Sequence, residues 1–399
     1  MTPSARLGPL SGVRVLAFTK VWAGPYAAKY LAHLGAEVIK VESRSNLDEM
    51  RTYGGVDVDA APYFLSINQE VLSVQVNLKK PEGLDLVKQM VGQSDVVIDN
   101  IRGGAMERSG LDYARLKVIK PDIIQLSLKM WGNEGPLAYQ TGYAPSFAAL
   151  SGLNYLVGHE GEVPRGMNIR YGDSTAGAYA ALAIVAALNH REATGEGQFI
   201  DVSAVEAMTS LIGDSLLAWS VTGEIPQADG NYHAGMCPHG AYPCAGGEWL
   251  SIAVQDDAQW HVLCGALGLD DRPAHAVLDG RQADRHAIDF ALSAKTTSQD
   301  ASALAETLRG IGIPAFRCAS SIDLCSDDAL WQRGAFRMVS DHQSGTRPII
   351  GPPWRMTPEQ AKIERGAPLL GEHNDYVYGE LLGLAPTRIA DLKMRKVID

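Results

Sequence analysis

Apolar positions come in two rhythms along this chain, short strand-length runs and longer stretches with helical spacing. Residues 13–18 form an apolar run of strand length, and residues 25–34 then repeat apolar positions at helical intervals until Gly35. Pro25 suits a first helical position. Residues 37–41 are the next strand, and residues 44–60 are polar and read as loop. Residues 72–78 alternate like a half-buried strand, Pro81 opens a helix through Val91, and residues 95–99 and 122–128 are further strands. Between these last two strands, residues 106–120 hold short helices broken at Gly110. Strands alternating with helices predict a parallel sheet covered on its faces. The loop 19–24 carries one glycine and lacks the Gly-x-Gly-x-x-Gly pattern, so dinucleotide binding has no support. It still follows a strand, on the side where such sheets bind ligands.

The stretch Arg170-Tyr-Gly-Asp-Ser-Thr-Ala-Gly organises the middle of the chain. Polar residues run up to Asp173, and a small-residue helical run follows to about Asn189 and His190. Asp173 is read as the N-cap. A carboxylate there meets the helix dipole and free backbone N–H groups, and both favour its ionised form. An ionised carboxylate at the start of a buried helix can attack an activated carbonyl. It serves equally as a plain cap of a core helix. Downstream, residues 198–203 read as a strand, 204–222 as one long helix and 223–247 as a Gly-, Pro- and His-rich linker. A strand over 248–254, helices to about 310 and a closing segment over 348–399 complete the pattern.

The length of 399 residues allows two domains with ample core. Hydrophobic residues make up 46% and charged residues 20%, as in an ordinary globular enzyme. A net charge of −11 argues against a nucleic-acid partner, although local Lys and Arg can still hold an anionic ligand. No apolar stretch reaches membrane-spanning length, and residues 1–6 lack the apolar core of a signal peptide. Five cysteines fit a reducing cytoplasm. Cys237 and Cys244 lie near His233 and His239, but their spacing is not that of a zinc site, so free thiols and no metal are expected.

Several segments in register resemble the class III CoA-transferases. They include Ala23-Gly-Pro, Leu34-Gly-Ala-Glu-Val-Ile-Lys-Val-Glu42, Asp95-Val-Val-Ile-Asp-Asn100, Met106-Glu-Arg-Ser-Gly-Leu111, Gly172-Asp-Ser, Thr194-Gly-Glu-Gly-Gln198 and Pro368-Leu-Leu-Gly-Glu-His373. The resemblance implies an α/β fold with a doubly wound, Rossmann-like large domain from residues 1–222 and 326–399. A linker and small α+β domain would occupy 223–325. It also implies two subunits interlinked like rings, an exception to the rule against threaded chains. Asp173 falls on the family's catalytic aspartate, which implies an aspartyl anhydride followed by an aspartyl-CoA thioester. Lys20, Val21, Trp22 and Ala23 match the segment that lies against CoA, and Asn100, Arg108 and Lys129 match positions near it. Two basic positions of the family differ: Ser43 follows the strand-two glutamate, with Arg44 next, and Val71-Leu72 stand where Lys-Arg is common. No glycine run matches the family's lid loop. CoA thioester is implied as a substrate, with no tightly bound cofactor.

The segments around Trp131 and Tyr143 resemble the subset acting on aromatic or substituted succinates. That implies succinyl-CoA as donor and (R)-benzylsuccinate or a related acid as acceptor, in anaerobic aromatic degradation. It also implies a homodimer or an assembly with a related subunit. Trp22, Trp131 and Tyr143 are expected to line an apolar pocket. An α-methylacyl-CoA racemase needs two bases, and Tyr143 stands in the stretch where that branch carries His. A non-catalytic subunit is the remaining alternative, and the retained Asp173 speaks against it.

Overall fold

The strand-length runs assemble into one six-stranded sheet. The computed structural model describes residues 7–54, 57–167, 170–341, 345–358 and 360–398. Residues 1–6, read above as lacking a leader, lie outside them. β1 (Arg14–Phe18), β2 (Glu37–Glu42), β3 (Leu72–Gln75), β4 (Val96–Asp99), β5 (Ile124–Lys129) and β6 (Phe199–Ser203) lie in the order β3-β2-β1-β4-β5-β6. All neighbouring pairs are parallel. The order reverses beside β1, which opens a ligand crevice at the carboxyl ends of β1 and β4.

The helices of this part are α1 (Ala23–His33), α2 (Pro62–Ile67), α3 (Pro81–Gly92), α4 (Ala105–Arg108), α5 (Tyr113–Ile119), α6 (Ala144–Leu150), α7 (Tyr171–Thr194), α8 (Ala204–Thr209) and α9 (Gly213–Thr222). Strand residues alternate between two cores. Val15, Ala17, Val96 and Ile98 join α1 and α7 on one face, while Leu16, Phe18 and Val97 join α3 on the other. The close packing of α1 against α7 depends on Gly177, where an added Cβ would lie 2.6 Å from the Ala23 carbonyl oxygen.

β3 borders the sheet, yet all four of its residues are buried. A downstream segment runs along it. His373 N–H donates to the Ser73 carbonyl at 3.0 Å, Ser73 N–H donates to His373 Nδ1 at 3.2 Å, and Gln75 N–H donates to Asn374 Oδ1 at 2.8 Å. These bonds occupy an edge that would otherwise pair with another chain.

The chain divides into two compact units, Met1–Asn154 with Gly166–Ile225 and Trp331–Asp399, and Tyr155–Arg165 with Pro226–Leu330. The division moves residues 155–165 and 326–330 out of the large domain to which the sequence assigned them, and residues 223–225 into it. Gly230 N–H donates to the Gly158 carbonyl, Tyr155 to Gln227 Oε1, and Glu160 pairs with Arg285 at 2.5 Å. The second unit is an antiparallel sheet of β7 (His239–Pro243), β8 (Trp249–Ala253) and β9 (Ala315–Arg317). Its core holds Trp260, Leu263, Leu292 and Leu308. Within the first unit, β10 (Phe336–Asp341) pairs antiparallel with β11 (Gly345–Ile350).

Three local expectations change. The helix read over 204–222 breaks at a 3₁₀ turn, Ser210–Ile212. Around that break the hydroxyls of Thr209 and Ser210 donate back to the Val205 and Ala207 carbonyls, competing with regular helical bonding. β7 lies inside the segment read as linker. The polar loop 44–60 contains 3₁₀ turns at Arg44–Asn46 and Glu49–Arg51. Its Arg51 is fully buried, forks onto Glu42 with two 2.8 Å bonds and also reaches Asp59.

Candidate active site

The turn from β1 into α1 is held by side chains from three other segments. Asn100 receives the Lys20 N–H on Oδ1 and donates from Nδ2 to the Lys20 carbonyl, both at 2.8 Å. Asp48 accepts the Val21 N–H at 2.8 Å. Buried Lys40 donates to the Thr19 carbonyl at 2.6 Å and to Asp48 at 2.8 Å. Under these restraints Val21 adopts φ +63°, a left-handed conformation that a β-branched residue rarely takes. Gly24 follows because an added Cβ would lie 2.5 Å from Asn100 Oδ1. The turn is thus rigid before any ligand arrives.

Trp22 caps α1 and reaches across to α7, its Nε1 donating to Ser174 Oγ at 3.1 Å. Its ring meets Tyr63 of α2 edge-on, with centroids 6.5 Å apart. The Arg170 guanidinium lies over both rings, 4.8 Å from the Trp22 centroid and 4.2 Å from that of Tyr63. Arg170, not Asp173, is the N-cap of α7, and Asp173 sits in the first turn as its third residue. The expected cap is corrected accordingly: the helix begins two residues before Asp173 and runs on to Thr194.

Asp173 is 8% exposed, and its carboxylate makes no hydrogen bond or ion pair among the described residues. Burial pushes its carboxyl up to about 6, against the pull of the Arg170 charge. The helix dipole was expected to lower it. Desolvation outweighs that effect because no donor reaches the carboxylate. A buried carboxylate without hydrogen-bonding partners, still largely ionised at neutral pH, is a competent nucleophile toward an activated carbonyl.

The residues matched to CoA contacts separate into groups. Lys20 lines a cavity of about 360 Å³ at the carboxyl ends of β1, β2 and β3, together with Ser43, Ser45, Asn46, Asn77 and Lys79. Val21, Trp22 and Ala23 continue from Lys20 toward Asp173. Arg44 lies exposed in the 3₁₀ turn whose neighbours Ser43 and Ser45 line that cavity. Arg108 is exposed at the end of α4. Asn100 is taken up by the Lys20 backbone. Lys129 pairs with buried Asp99 and lines a different cavity, of about 320 Å³, with Glu107 and Ser127. Burial raises the Asp99 carboxyl despite Lys129.

Trp131 packs against the core and donates to Gln140, and Tyr143 is 64% exposed. Neither makes a ring contact with Trp22 among the described residues. The expected aromatic group is replaced by Trp22 and Tyr63 around Arg170. Sequence reading missed Tyr63, Arg170 and Lys79. Arg170 lay within the stretch singled out, and Lys79 follows a strand, but nothing local marks Tyr63. Among the described residues no cluster of three or more His, Cys, Asp or Glu is arranged to hold a metal, and no helix is long and apolar enough to cross a membrane.

The model of CoA-transferase family III matches residues 10–374. The chain is 32% identical over 387 residues to a succinate–glutarate CoA-transferase of Agrobacterium fabrum, covering 94% of this chain and 96% of that protein. It is 32% identical over 399 residues to a succinyl-CoA–L-malate CoA-transferase alpha subunit of Chloroflexus aurantiacus, covering 98% of this chain and 92% of that one. Among solved structures, a CaiB/BaiF family protein from Brucella suis superimposes with a TM-score of 0.88 at 30% identity, covering 94% of this chain and 100% of that one.

Proposed function

The chain belongs to CoA-transferase family III, and from that premise we propose that it moves CoA from succinyl-CoA to a free dicarboxylic acid through Asp173. The observation that carries this reading is the Asp173 carboxylate itself: buried, without a hydrogen bond among the described residues, and beside a cation. Asp173 attacks the thioester carbonyl, the C–S bond breaks, and CoA leaves as thiolate. The acyl group now forms a mixed anhydride with the enzyme. CoA thiolate attacks the aspartyl carbonyl, which releases the donor acid as carboxylate and leaves an aspartyl thioester. The acceptor carboxylate attacks that thioester and expels CoA thiolate. The thiolate then takes the new acyl group and regenerates the Asp173 carboxylate. Charge balances at each step, so no external base is needed. Exclusion of water protects both intermediates.

The cavity carrying Lys20 and Lys79 suits the phosphates of CoA. Arg44 and Arg108 are read as exposed contacts to the same groups. Asn100 and Lys129 act by holding protein rather than ligand. The relatives named for glutarate and malate support a dicarboxylic acceptor. Benzylsuccinate belongs to that class, although the exposure of Tyr143 removes one reason to expect an aromatic substituent.

The chain is read as assembling with a second copy or a related subunit, interlinked as the family resemblance implies. On α9, Leu216, Leu217, Trp219 and Val221 are all exposed, an apolar surface suited to such contact. The free cysteines fit a cytoplasmic location.

The deciding experiment traps the reaction midway. Hydroxylamine or borohydride added during turnover should tag Asp173, located by mass spectrometry of peptides. A label elsewhere, or transfer surviving in Asp173→Ala, overturns the reading. Succinyl-CoA with a panel of acids then identifies the acceptor, and a panel in which only monocarboxylic acids react would exclude the dicarboxylate assignment.

A further inference from the structure

Arg170 stands apart from most buried or half-buried cations of the sheet unit, of which Lys29 is held by the Ser66 carbonyl. Lys40, Arg51, Lys129 and Arg191 all pair with carboxylates. The Arg170 guanidinium makes no hydrogen bond and no ion pair among the described residues. Its guanidinium lies over the rings of Trp22 and Tyr63 instead. Contact with rings uses none of the hydrogen-bonding capacity of the guanidinium and leaves N–H groups available for a forked bond to a carboxylate. Arg170 and Asp173 are the N-cap and the third residue of α7, and residues three apart share one face of a helix. The available N–H groups and the nucleophile therefore belong to the same small space.

We infer that Arg170 grips the distal carboxylate of a dicarboxylic acyl group while Asp173 reacts at the proximal one. The inference rests on the transfer reaction proposed above and adds its specificity determinant. Both acids are carried in turn on the Asp173 carboxyl group, so one cation serves both halves of the cycle. Donor and acceptor must then share one feature, a second carboxylate a few carbons from the reacting carbon. Trp22 and Tyr63 hold the guanidinium in place and shield it from water, which strengthens the pairing. Acids without the distal carboxylate leave the Arg170 guanidinium unpaired and react poorly.

The test compares succinyl-CoA with butyryl-CoA, a donor of equal length lacking the distal charge. Wild type, Arg170→Gln and Arg170→Lys are assayed with each, and kcat/KM is read as the ratio between donors. The wild type is expected to favour succinyl-CoA by about 10- to 100-fold, the range of a charge-assisted pair. Arg170→Gln should bring the ratio close to one by lowering succinyl-CoA far more than butyryl-CoA, the small loss common to both being that of the charge beside Asp173. Arg170→Lys, which keeps the charge without the fork, should restore part of it. A wild type indifferent to the distal carboxylate overturns the assignment. So does an equal loss with both donors in Arg170→Gln, which would mean that Arg170 acts only through the ionisation of Asp173 or through folding. If instead the wild type transfers CoA to no acid, or Asp173→Ala remains active, it is the underlying reaction that fails.

Discussion

Trp22 Nε1 donates to Ser174 Oγ at 3.1 Å, joining residues 152 positions apart in the chain. One belongs to the turn after β1 and the other follows Asp173, so the strained turn and the nucleophile form one rigid piece. Trp22→Phe keeps a ring for Arg170 while removing the donor and the second ring of the indole. We expect it to cost about 1 kcal/mol of stability and to lower kcat severalfold with a smaller effect on KM for CoA. Urea unfolding and steady-state kinetics on the same preparation measure both.

The raised Asp173 pKa also predicts how stability varies with pH. Between 3.8 and about 6 the folded chain holds a proton that the unfolded chain releases. Stability therefore falls as pH rises through that window and stays at the lower level above it. Asp173→Asn carries no charge to desolvate. It should be more stable than wild type at pH 7.5, by about 2–3 kcal/mol, and no more stable at pH 4. Denaturation curves at the two pH values test this, and equal differences at both would mean the carboxylate is well solvated.

The same group sets the acid limb of activity. Only the ionised Asp173 attacks the thioester, so kcat/KM should fall with an apparent pKa near 6 as the solution is acidified. A limb near 4 would contradict the desolvation of the carboxyl.

Asn100 is expected to affect CoA binding without touching CoA. Asn100→Ala leaves the Lys20 N–H and carbonyl without their partners and should cost about 1–3 kcal/mol. It should also raise KM for CoA thioesters. Asn100→Asp retains the acceptor for the Lys20 N–H and loses the donor, so its effect on KM should be intermediate. Equal KM values across wild type and both variants would remove Asn100 from the support of this turn.

Gly177 tests the packing beneath the site. The methyl of Gly177→Ala meets the Ala23 carbonyl at 2.6 Å and must push α1 from α7. A loss of about 1–3 kcal/mol is expected, with a fall in kcat because Trp22 and Asp173 begin these two helices. Thermal unfolding and kcat at saturating substrate provide the check.

Much of this was legible in residue patterns. The alternation of Val15, Leu16, Ala17 and Phe18 announced a strand covered on both faces, and the sheet has two cores for that reason. Asp173 was legible as the charged residue before a small apolar run. The direction of its pKa shift was hidden because burial, unlike capping, is not local. Tyr63 was invisible, since it meets Trp22 only after Asp48 has paired with buried Lys40 and Arg51 with Glu42. The burial of β3 was also hidden, because its covering bonds come from residues 373 and 374.

That last arrangement bears on how the molecule is made. Ser73 takes a bonding partner from 300 residues downstream. A nascent chain therefore carries an open sheet border until residues 371–378 have left the ribosome. Truncation before that stretch leaves a strand with unpaired backbone groups.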